Sequence, residues 1–153
     1  MGLEELMKVE IVSLTKTSRP LSESAAAAFV ISQEDIRRSG VTSIPEALRM
    51  APGINVARID ANKWAITARG FNYRYSSKLL VMIDGRTLYT PFFAGVYWEL
   101  QDYALEDIDR IEVIRGPGGS LWGANAVNGV INIITKSAKE TKGVLVSGGG
   151  GLE

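Results

Sequence analysis

Apolar positions in this chain fall into short runs separated by polar and glycine-rich breaks, and their spacing changes along its length. Residues 25–32 (AAAAFVIS) read as a short strand centred on Phe29, Val30 and Ile31. Ser32 with Asp35 three residues on has the form of a capping box, opening a helix that Gly40 stops. Ser43 and Glu46 repeat that spacing. Pro45 falls in the first turn, Ala47, Leu48, Met50 and Ala51 give an apolar side, and Pro52-Gly53 is the stop. Residues 54–60 and 64–69 flank Ala61-Asn62-Lys63, with Ile54, Val56, Trp64, Ile66 and Ala68 alternating against less apolar positions. That pattern predicts a hairpin with one wet face. Residues 79–83 (LLVMI) are apolar at both parities, as expected of a strand covered on both sides. A turn at Asp84-Gly85 leads to Thr87-Leu88-Tyr89, and apolar runs at 108–114 and 130–134 complete the strands. The predicted class is α+β: a small mixed β-sheet with two short helices and long loops.

Composition narrows the function. The chain has 153 residues, 46% hydrophobic and 22% charged, which suits one globular domain. Seventeen basic residues balance seventeen acidic ones, and no basic run exceeds Arg37-Arg38, so bulk electrostatic binding of nucleic acid is not expected. Neither cysteine nor histidine is present. Disulfides, thiolate and imidazole metal sites, and Ser-His-Asp chemistry all fall away, and no enzyme, cofactor or metal is predicted. No apolar span approaches the ~20 residues of a membrane helix.

Glycine is concentrated at Gly116, Gly118, Gly119, Gly123 and Gly129, between the last two apolar runs. A phosphate-binding loop would place a lysine after its last glycine. Residues 116–129 contain none, and the spacing is not G-x-G-x-x-G. The loop is read instead as one needing positive φ at several places, with Ser120 capping a turn of helix through Leu121-Trp122 and Trp122 as its anchor. Its small residues would let it pack closely against a surrounding wall. Two arginines end strands beside it. Arg115 shares parity with Ile111 and Val113, and Arg69 precedes Gly70-Phe71. An arginine withdrawn from water needs a carboxylate or several carbonyls. Either an internal acid such as Asp84 or Glu112 serves, or the partner lies outside the chain.

Four segments, in order, now resemble a known family. They are SIPEALRMAPGINV at 43–56, ITARGFN at 66–72, LLVMIDGRTLY at 79–89 and LEDIDRIEVIRGPGGSLWGANAVNGVINIITK at 105–136. With AAAAFVISQEDIRRSG at 25–40, the chain resembles the plug domain of TonB-dependent outer-membrane receptors over roughly residues 24–137. The resemblance implies a plug at 24–140, preceded by an arm at 1–23 and followed at 141–153 by the start of a barrel strand. Met1-Gly2 and Leu152-Glu153 read as cloning remnants. The barrel implied is one of roughly 22 strands formed by the following polypeptide. The resemblance further implies an outer-membrane location in a Gram-negative bacterium, coupling to the C-terminal domain of TonB, and active uptake of a scarce small molecule such as a metal–siderophore chelate or cobalamin. It gives Arg69 and Arg115 the role of pairing with glutamates on the barrel wall.

Two further sites follow. Val9, Glu10, Ile11, Val12 and Ser13 form the candidate TonB box, a segment able to add as a strand to its partner. It is only loosely box-like, and it also suits an ordinary first strand of the plug. Aromatic residues gather on loops at Tyr73, Tyr75, Tyr89, Phe92, Phe93, Tyr97 and Trp98. Tyr73, Arg74, Tyr75, Phe92 and Phe93 are the expected substrate-facing set, since loop aromatics make good ligand platforms. The rival reading is a stand-alone periplasmic binding module with the same fold.

Overall fold

The computed structural model describes residues 10–11, 19–20, 27–70, 72–93, 95–139, 141–146, 148 and 150. In chain order they form β1 (Glu10–Ile11), β2 (Arg19–Pro20), β3 (Ala27–Ser32), α1 (Gln33–Ser39), α2 (Ile44–Ala47), β4 (Ile54–Arg58), β5 (Trp64–Ala68), β6 (Leu79–Ile83), β7 (Arg86–Thr87), β8 (Ile108–Arg115), α3 (Gly119–Trp122) and β9 (Gly129–Thr135). The main sheet runs β3-β8-β9-β6-β7, with β6 and β9 parallel and every other pair antiparallel. β4 and β5 form a separate hairpin, and β1 pairs with β2.

Register builds the core row by row. Ile31 faces Ile111, Ile111 faces Ile133, and Ile133 faces Ile83, so four isoleucines cross four strands in one line. The next line is Phe29, Val113, Ile131 and Val81. Ile36 of α1, Ile44 and Ala47 of α2, Leu48, and Trp64, Ile66 and Ala68 of β5 close over this inner face. Each fully buried Ile or Val contributes about 1.5–3 kcal/mol relative to an exposed one. The outer face carries a smaller cluster of Leu80, Met82, Ile114, Ala126 and Val130, with Trp122 and Tyr89 packed against it. Tyr89 donates its hydroxyl to the carbonyls of Ser77 and Leu79, and burial pushes its phenol up to about 12.

The first helix starts as predicted. Ser32 Oγ accepts from the Asp35 amide at 3.2 Å, Asp35 returns a carboxylate to the Ser32 amide at 3.0 Å, and Gly40 ends the helix at φ 69°. The second cap differs from expectation. Ser43 makes no side-chain cap; Glu46 instead accepts from the amide and hydroxyl of Thr42, both at 3.1 Å. The expected wet face of the hairpin is confined to β4, whereas β5 is buried along its whole length. Thr67, fully buried, donates to the Gly70 carbonyl at 3.2 Å and lies 3.5 Å from the Ser76 hydroxyl, so the loop after β5 covers its second side.

The glycine loop corrects the reading at its cap. Gly118, not Ser120, caps α3, and Ser120 lies inside it. Two of the loop's glycines make close approaches within the chain itself. A Cβ on Gly118 would lie 3.0 Å from Val130 Cγ2, and one on Gly129 would collide with the Ile114 carbonyl oxygen. Gly116 and Gly123 do need positive φ, at 129° and 92°. Gly129→Ala is therefore expected to lower unfolding free energy by about 2 kcal/mol or more through overpacking. Gly148→Ala, whose Cβ would meet nothing within 4 Å, should leave the urea midpoint unchanged.

Candidate functional site

Arg115 is the last residue of the inner-face series Ile111, Val113, Arg115. Its neighbours in the row are Ala27 and Gly129, which give one carbon and none, so the long side chain has room to cross the sheet. Its stem passes over Gly53: a Cβ there would lie 3.1 Å from Arg115 Cδ and 3.3 Å from Nη1. Arg69 follows β5 at φ 60°, in a left-handed conformation unusual for a residue with a side chain. A Cβ on Gly116 would lie 3.8 Å from Arg69 Nη2. Gly53 and Gly116 thus bring the two predicted arginines to one corner of the molecule.

Neither arginine has a carboxylate partner among the described residues. Arg115 Nε is buried without a hydrogen bond. The internal acids weighed for this role are engaged elsewhere. Asp84 accepts from the amide and the hydroxyl of Thr135, each at 2.9 Å, and Glu112, fully buried, accepts from Arg110 Nε at 3.0 Å. Beside Arg69, an open cleft of about 470 Å³ runs between Arg49, Gly53 and Asn55.

The aromatic loops come together in part. Tyr75 and Phe93 stack edge to face at 5.0 Å between ring centres, and Phe93 and Tyr97 at 4.9 Å. Arg74 lies 5.3 Å from the Tyr75 ring and binds Glu99 at 2.6 Å. The hydrogen bond to Glu99 raises the Arg74 pKa above the ordinary guanidinium value. Phe92 is 88% exposed and Tyr73 53%. Trp98 belongs to the core instead, and Tyr89 is tied to the backbone of the 77–79 segment. Glu99 and Arg49 are the residues that local pattern missed. The candidate TonB box at 9–13 lies outside the described residues except for Glu10–Ile11, which pair with Arg19–Pro20. Among the described residues no group of three or more Asp, Glu, His or Cys could hold a metal ion.

This arrangement matches a family model, the TonB-dependent Receptor Plug Domain, over residues 20–130. The chain belongs to that family. The plug is 34% identical over 145 residues to the vitamin B12 transporter BtuB of Vibrio vulnificus, an alignment covering 94% of this chain and 23% of that protein. Among solved structures, the siderophore receptor PirA from Pseudomonas aeruginosa matches at 30% identity and TM-score 0.53, over 75% of this chain and 19% of that one. The ferripyoverdine receptor of the outer membrane of Pseudomonas aeruginosa shares the fold at TM-score 0.64 and 24% identity, over 84% of the plug and 16% of its own chain. The plug therefore spans less than a quarter of the length of the curated relative it matches. The predicted α+β class with a small mixed sheet stands.

The role of Gly53 is testable in the plug itself. Gly53 and Gly85 have similar backbone angles, φ 80° and 77°, but only the first meets a side chain within 4 Å. Both alanine substitutions should cost about 1 kcal/mol or more of backbone strain. Gly53→Ala should cost more than Gly85→Ala in urea unfolding, and the excess should vanish in an Arg115→Ala background.

Proposed function

We propose that the plug closes the lumen of an outer-membrane β-barrel formed by the rest of its polypeptide, as the gate of a TonB-dependent importer. The observation that carries this reading is the corner where Arg69 and Arg115 meet with no acid of their own. Arg115, half-buried with its Nε shielded, calls for a partner that the described residues do not supply, and Arg69 stands exposed beside it, also without a carboxylate among them. Glutamates on a surrounding wall would satisfy both and hold the plug in register.

The transported molecule is a scarce small-molecule nutrient of the kind named for the relatives, a siderophore chelate or a cobalamin. Tyr73, Arg74, Tyr75, Phe92 and Phe93 contribute to its outer binding face. Two observations support this: the exposure of Tyr73 and Phe92, and the edge-to-face series Tyr75–Phe93–Tyr97 that joins the same loops. Residues 9–13 serve as the periplasmic handle for the C-terminal domain of TonB. The plug works by binding and by moving, with no bond made or broken.

In the intact receptor, Arg69→Ala combined with Arg115→Ala is expected to loosen the seat and raise the entry of large antibiotics that the closed pore excludes. Antibiotic susceptibility at equal receptor abundance is the measurement. Unchanged permeability of the double variant would contradict the proposal.

A further inference from the structure

Glu99 holds a position that its own surroundings in sequence do not explain. It lies in the 3₁₀ turn Trp98–Leu100, and Trp98 beside it is buried in the core, which anchors the turn. From there its carboxylate binds Arg74 Nη2 at 2.6 Å, 25 residues away on the other aromatic loop. The two side chains are 28% and 16% exposed, so water screens this pair less than an open surface pair. Arg74 Nε is shielded and makes no hydrogen bond. Among the described residues, Glu99 is the one carboxylate paired with this guanidinium.

A second strap joins the same two loops. A Cβ on Gly95 would collide with the Phe93 ring and lie 2.8 Å from the Ser76 carbonyl oxygen. Without one, the Phe93 ring folds back and meets both Tyr75 and Tyr97 edge to face. The Gly95 carbonyl accepts from the Thr90 amide at 3.0 Å, closing the loop that carries the exposed Phe92. The joined loops thus present rings, with the charge of Arg74 already matched from within.

We propose that Glu99 is a specificity-determining residue of this aromatic face: by neutralising Arg74 it favours an uncharged, ring-bearing ligand surface over an anionic one. The inference rests on the reading of Tyr73, Arg74, Tyr75, Phe92 and Phe93 as the ligand face, and it names the charge class of the ligand. An arginine beside exposed rings would otherwise draw anionic rings by charge and stacking together. With Glu99 in place, an approaching anion meets a carboxylate already bound to Arg74 and must displace it. Selection of this kind comes from the repulsive encounter rather than from an added contact.

The test compares benzamide with benzoate, two rings of one shape that differ in charge. Binding is followed at low ionic strength on the ¹³C-labelled ring signals of Tyr73, Tyr75 and Phe92. The wild-type chain is expected to bind benzamide about threefold or more tightly than benzoate. Glu99→Gln, of nearly the same size, is expected to tighten benzoate by about threefold or more and leave benzamide unchanged. Adding Arg74→Gln should abolish that gain, and Glu99→Asp, which keeps the charge, should retain the wild-type order. A wild-type preference for benzoate, or unchanged benzoate affinity in Glu99→Gln, would overturn the inference. Equal weakening of both probes in Glu99→Gln would make Glu99 a structural strap alone, and would overturn it too. If benzamide shifts none of the three rings in any of these chains, the ligand-face reading fails with it.

Discussion

A guanidinium half withdrawn from water, with no carboxylate beside it among the described residues, sets the terms for this molecule. Leaving a charge unpaired in a fully buried site costs several kcal/mol, and even partial withdrawal is unfavourable. Arg115 is in that position: its stem lies in the inner-face row between Ala27 and Gly129, its Nε is shielded, and Asp84 and Glu112 are committed to Thr135 and Arg110. Arg69 reaches the same corner from a left-handed backbone that a side-chain-bearing residue rarely adopts. A chain shaped only for water would have placed an acid there. The placement makes sense for a domain completed by a second surface.

Much of the remaining architecture serves to hold that corner still. The isoleucine row across β3, β8, β9 and β6 makes the sheet rigid up to the point where Arg115 leaves it. Gly53, Gly116 and Gly129 then remove the side chains that would block the guanidinium or the return of β9. At the aromatic loops the logic differs. Arg74 is neutralised by Glu99 and leans on Tyr75, so its charge organises the loop, while Phe92 and Tyr73 remain open to an incoming ligand. On the proposed function, the first region seats the plug and the second receives a small molecule.

The strands, the first helix and the two arginines were legible because their signals are local. Alternation, a doubly apolar run and a serine three residues before an aspartate all act within one turn or one strand. What escaped was a competing local partner in one place and distant partners elsewhere. Glu46 turned to Thr42, so the second cap that its spacing suggested did not form. Thr67 looks half-polar in sequence, yet it is buried and its hydroxyl meets Gly70 and Ser76 of the loop after β5. Gly118 serves packing against Val130 rather than a positive φ, which only the closed loop reveals. Arg74 finds Glu99 25 residues away, and Arg49 looks like any basic residue after a helix until its place in the cleft beside Arg69 is seen. The plug resemblance carried more than the periodicity did, because four ordered motifs constrain a chain far more than any one of them.

The most direct measurement is a structure of the full-length protein that contains this chain. The account predicts that the guanidinium groups of Arg69 and Arg115 each lie within hydrogen-bonding distance of carboxylates belonging to residues beyond this domain. Finding both groups paired with acids of residues 1–153, or both facing open water, would contradict it.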